Sequence, residues 1–125
     1  MLNIGSIHQI IADNRNDPET LDFIKEIFDS FEQYHRSVYE DQLFGVLYQG
    51  AMEGDAFRER RTELDKTRTV YHNNLLANVR VLNKLAALSD VPPVYDGEVS
   101  EERPYRRQVA NAVFEFIENV INNRP

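Results

Sequence analysis

The chain contains no cysteine and no tryptophan, two methionines, and only five glycines and five prolines in 125 residues. Without cysteine there are no disulfides and no cysteine-ligated metal site, which fits a reducing compartment. No apolar run approaches the ~20 residues needed to span a bilayer. Met1-Leu2-Asn3-Ile4-Gly5-Ser6-Ile7-His8 lacks the basic start and apolar stretch of a signal peptide. These absences point to a soluble, cytoplasmic protein with no membrane partner. Basic charge is scarce in the first half. Residues 1–53 carry ten acids against Arg15, Lys25 and Arg36, and from Gly54 onward eleven acids balance eleven bases. The whole net charge of −7 therefore lies in the first half. Such a half disfavours phosphate backbones, whose binding rests on Lys and Arg, so a nucleic-acid partner is not expected.

What is present is helical periodicity. Leu64–Leu88 has neither Gly nor Pro, and its apolar residues fall on two faces. Leu64, Tyr71, Leu75, Leu82, Leu85 and Ala86 share one; Val70, Ala77, Val81 and Leu88 share nearly the opposite one. A helix apolar on two sides is packed on two sides, so this one is expected at the centre of a bundle, or between the bundle and a partner chain. Between those faces runs a polar line through Asp65, Arg68, His72 and Asn83, with Asn73 beside it. Asp65 and Arg68 are three apart, and Arg68 and His72 four apart, spacings at which side chains touch. These five residues form the candidate polar cluster. The plain structural reading is a charged seam satisfying itself at the core edge, since buried charges are normally paired. The functional reading is a site for a ligand or for proton transfer.

The rest of the chain supplies neighbours for that helix. Ile4, Ile7, Ile10 and Ile11 make a short amphipathic helix with His8 at its edge. Asp17-Pro18-Glu19 is a helix start: an N-cap, a proline suited to the first turn, and an acid complementing the dipole. Leu21, Ile24, Ile27, Phe28, Phe31, Tyr34, His35 and Val38 then share a core face. Ser37-Val38-Tyr39-Glu40 reads as a capping box that could divide this segment, although no Gly or Pro interrupts it. Gly50 and Gly54 bracket a turn, Asp55 is the expected cap, and the central helix is expected from about Phe57 for about 30 residues, ~45 Å. That length suggests that one end projects or meets a partner. Val91, Val94 and Tyr95 make the loop around Pro92-Pro93 too apolar to float free. A last helix is expected after Ser100, with Val109, Ala112, Val113, Phe116, Ile117, Val120 and Ile121 inward. The expectation is one all-α domain over residues 1–125, a bundle of four to five helices with a long central helix.

Few motifs carry chemistry. A di-iron bundle needs two E-x-x-H motifs; only Glu32-Gln33-Tyr34-His35 matches, so no metal site and no cofactor are expected. No H-E-x-x-H, phosphate loop or nucleophile elbow occurs. Arg68-x-x-x-His72 resembles the motif of HEPN ribonucleases, small helical bundles that place an Arg four to six residues before a His. The spacing here is one short, and the resemblance would make Arg68 and His72 the nucleolytic pair. Leu64-Asp65-x-x-Arg68-x-x-x-His72-Asn73, followed by Val79-x-x-Leu82-Asn83, looks like a pattern in small all-helical bacterial proteins of unknown function. That resemblance implies an all-α domain and no assigned activity. The favoured reading is a protein-interaction or self-associating module without catalysis, a homodimer or a binder of another protein. The rivals are the ribonuclease and a small-molecule sensor with Phe28, Phe31, Tyr34, Phe44, Tyr48 and Tyr71 around a pocket.

Overall fold

A computed structural model describes residues 3–100 together with 108, 109, 111, 112, 115 and 118. The described chain is all-helical, with three helices: α1 (Ile4–Asp13), α2 (Pro18–Tyr48) and α3 (Gly54–Leu88). α2 starts where the sequence indicates. Asp17 caps it, its carboxylate accepting from the Thr20 amide (3.3 Å) and hydroxyl (2.6 Å), and Pro18 fills the first turn.

The expected four to five helices are thus three among the described residues. Ser37 does not break α2. Its hydroxyl donates back to the Tyr34 carbonyl at 2.7 Å, so it satisfies itself inside the helix instead of capping a new one. The expected last helix falls mostly outside the described residues. Of its inward set, Val109 and Ala112 are described and buried, while Val113, Phe116, Ile117, Val120 and Ile121 are not described. α3 begins a turn earlier than expected, at Gly54. Asp55 lies in its first turn and pairs with Arg58 at 2.7 Å instead of serving as the cap.

α2 and α3 form an antiparallel hairpin, and three contacts descend it in step. Ser30 meets Asn78 (2.6 Å), the Tyr34 ring meets His72, and Phe44 stacks on Phe57 with centroids 5.1 Å apart. At 1.5 Å per residue, the 35 residues of α3 extend ~50 Å. The core fills only part of that length. Ile24, Ile27, Phe31 and Tyr34 of α2 and Leu75, Leu76, Val79, Leu82 and Ala86 of α3 are buried, with Ile7 and Ile10 of α1 closing over α3. His35, expected on this face, is exposed.

The loop after α3 packs down as its apolar residues imply. Val94 and Tyr95 are buried, and three polar side chains pin the loop backbone. Asn83 both donates to and accepts from the Tyr95 backbone (3.1 and 3.0 Å), Arg80 donates to the Val99 carbonyl (2.9 Å), and Asn3 to that of Pro93 (2.6 Å). Of the second apolar face of α3, Val81 is half-buried against the core, while Val70, Ala77 and Leu88 are exposed.

Candidate functional site

Where the core ends, the hairpin carries one buried carboxylate. Asp41 sits on the inward side of α2, two turns beyond Tyr34, and is 3% exposed. Arg68 of α3 donates from Nη1 to its Oδ2 at 2.9 Å, and from Nη2 to Asp65 Oδ1 at 2.7 Å. Arg61, two turns earlier on α3, brings Nε to 3.3 Å from Asp41 Oδ1, too far out of line for a hydrogen bond. Gly45, one turn after Asp41, leaves room for that arginine: a Cβ there would stand 3.3 Å from Arg61 Nη1. Two carboxylates and two guanidinium groups sum to no net charge. The cluster is balanced in charge, with Asp41 Oδ1 facing Arg61 without an aligned hydrogen bond, and it ties α2 to α3 through Arg68.

The five residues of the candidate polar cluster are therefore not one site. Asp65 and Arg68 belong to the Asp41 cluster. His72 lies in the core, 1% exposed, its ring set edge-on to Tyr34 with centroids 5.5 Å apart and planes at 65°. Asn73 is exposed. Asn83 is a half-buried clamp on the loop. The sequence reading counted Asp41 only as one more acid. It could have been marked by its phase: Tyr34, Ser37 and Asp41 continue the inward line of α2 at helical spacing, so the carboxylate had to be buried and paired.

Beyond Asp41 the hairpin becomes an arm of two helices and the turn that joins them. No apolar side chain between His35 and Tyr71 is fully buried. Within the arm, Phe44 stacks on Phe57 across the hairpin with centroids 5.1 Å apart, and Tyr48 meets Phe44 at 5.2 Å with its ring tilted by 39°. Outside it, Tyr39, Leu43, Val46, Leu47 and Tyr48 are exposed, Val46 at 81% and Leu47 at 55%. Tyr39, Leu43, Val46 and Leu47 fall within ~100° of one another on the outer side of α2 and make a patch, whereas the exposed Val70 and Leu88 stand singly. Between the two helices of the arm runs a shallow groove. Leu43 and Leu47 of α2 and Leu64 of α3 line it, with Glu40 on one rim and Arg60 on the other.

Among the described residues, no three His, Asp or Glu side chains are grouped so that they could hold a metal ion. No described helix is long and apolar enough to cross a membrane. The aromatic residues weighed as a sensor pocket divide between the core (Phe31, Tyr34) and the arm (Phe44, Tyr48).

The family described as "Protein of unknown function (DUF3232)" has a model that matches residues 3–125, and the chain belongs to that family. Neither a curated protein nor a solved structure matches it.

Proposed function

From a family without an assigned activity, we infer that this chain is an association module that works without catalysis, and that the α2–α3 arm is its binding surface. One observation carries the reading: the hairpin continues some 20 Å past the last buried apolar side chain of α2, at ~1.5 Å per residue from Tyr34 to Tyr48, with Tyr39, Leu43, Val46, Leu47 and Tyr48 exposed. Helices in water owe their stability mainly to burying an apolar face. A two-helix arm with no fully buried apolar side chain lacks that support until something covers it.

The geometry favours this over the ribonuclease. Nucleolysis through Arg68 and His72 requires both groups to reach a phosphodiester. His72 is sealed in the core, and the Arg68 guanidinium is held by two carboxylates.

The test is sedimentation velocity of the parent and a Val46→Glu/Leu47→Glu variant over the micromolar range, with amide exchange across residues 39–64. Both side chains are largely exposed, so the variant should keep the parent's helicity. Association through the arm predicts a parent heavier than a monomer, with arm amides protected in proportion to concentration. The variant should be monomeric, with a fast-exchanging arm. A parent that stays monomeric with a fully protected arm would refute the reading.

A further inference from the structure

Resting on that reading of the arm, we propose that its occupant is a second copy of this chain, in a two-fold dimer whose axis runs parallel to the helices and sets Glu40 of each copy against Arg60 of the other. The argument starts from charge. α2 carries seven acids against two bases, a net −5, and α3 four acids against seven bases, a net +3. The groove repeats this asymmetry locally, with Glu40 on its α2 rim and Arg60 on its α3 rim. Their positions around the turn put the two at nearly the same level of the hairpin, and yet they do not pair with each other. Arg60 takes Glu63 of its own helix at 3.0 Å, an exposed pair that exchanges readily, and Glu40 has no ion pair among the described residues.

A self-association with closed symmetry uses one patch twice, so the patch must complement itself. Two such hairpins can lie face to face about a two-fold axis in two ways. If the axis crosses the helices, α2 lies on α2 and α3 on α3, acid on acid and base on base. If the axis runs along the helices, α2 of each copy lies on α3 of its partner, and a residue keeps its level. The first sets Glu40 against α2 of the partner and Arg60 against its α3, so the two rim charges do not meet. The second sets each Glu40 over the partner's Arg60 and closes two such pairs around Leu43, Leu47 and Leu64. The result is a four-helix bundle built from two arms, the smallest layered arrangement in which these apolar residues leave water.

Charge reversal with rescue tests this. Glu40→Arg and Arg60→Glu each set like charges together twice, and each should weaken the dimer roughly tenfold or more. The Glu40→Arg/Arg60→Glu double variant restores opposite charges in both pairs, and its dimer constant should return to within about threefold of the parent. Both residues are exposed, and circular dichroism with thermal melting confirms that each variant is folded. Single reversals that leave the dimer constant unmoved, a Glu40→Arg variant that associates more tightly, or a double variant no better than the singles would overturn this geometry while leaving the arm as the association surface. A parent that is monomeric at every concentration would remove the dimer, and one that is monomeric with fully protected arm amides would remove the underlying reading as well.

Discussion

Replacing Arg68 by methionine should destabilise the protein far more than replacing Asp41 by leucine, although both break the same 2.9 Å contact. The asymmetry follows from exposure. The Asp41 side chain is 5% exposed, while those of Arg68 and Arg61 are 31% and 48% exposed. Without Arg68, the buried Asp41 carboxylate is left with only the misaligned Arg61 beside it. Stranding one partner of a buried pair costs ~3–5 kcal/mol, and the remaining Arg61 places Arg68→Met near the lower end, about 3 kcal/mol. Without Asp41, both arginines can swing their heads into water while their stems stay packed. Leucine then fills an apolar position, and the loss should be within ~1 kcal/mol. The double variant Asp41→Leu/Arg68→Met should also lie within ~1 kcal/mol of the parent, because replacing both partners of a buried pair by apolar groups is often nearly neutral.

A double-mutant cycle by urea denaturation reads these values, and Arg68→Met alone should lower the melting temperature by about 10 °C. All four proteins must be compared at one concentration, since association through the arm would raise apparent stability by mass action. If Arg68→Met costs less than ~0.5 kcal/mol and the two substitutions simply add, the pair behaves as a solvent-screened surface contact. The buried-carboxylate account of the hairpin would then be wrong.

Gly97→Ala should destabilise the loop by about 2 kcal/mol, read by thermal melting and by exchange at the Tyr95 amide, because a Cβ there would lie 2.5–2.8 Å from the buried Tyr95 ring. Gly45→Ala is the contrast. Its Cβ would meet only the tip of a flexible arginine, so the helix gain of up to ~1 kcal/mol should leave the protein as stable as the parent or more so. Burial, reinforced by Asp96, raises the Tyr95 phenol above its ordinary value of 10.0. Stability is therefore held below about pH 10 and lost as pH climbs through the raised value. Tyr95→Phe should flatten that alkaline loss in pH-dependent denaturation. The Thr20 hydroxyl and then the Thr20 amide hold Asp17 below its ordinary 3.8, so its contribution is present above that value and disappears as pH falls through the lowered one. Asp17→Ala should melt lower than the parent at neutral pH, with the gap closing in strong acid.

Periodicity along one helix reports which side faces inward and is silent about what stands opposite. That is why the cores of α1, α2 and α3 were legible, as was the start of α2 at Asp17-Pro18, while the Asp65–Arg68–His72–Asn73–Asn83 grouping was not. On its own helix Arg68 is one turn from His72, yet its partner is Asp41, 27 residues away across the hairpin. Asn83 reaches twelve residues onward to Tyr95, because two prolines turn the chain back over α3. Ser37 followed by Glu40 fits a capping box and fits an uninterrupted helix equally well, and only the hydroxyl's bond to Tyr34 decides between them. The same limit gives the arm its meaning. The inward line of α2 runs on through Phe44 and Tyr48, well past Tyr34, with Leu43 and Leu47 on its outer side, and that of α3 begins at Phe57 and Leu64, well before His72. Of the elements that close the described core, the loop bonds to α3 at Arg80, Asn83 and Ala86, and Tyr39, Leu43, Val46 and Leu47 of the arm stay exposed. A chain whose apolar pattern outruns its own covering layer either loses helix there or is covered from outside. On the reading proposed above, the arm, held at the Asp41 cluster and stacked at Phe44–Phe57, takes the second outcome.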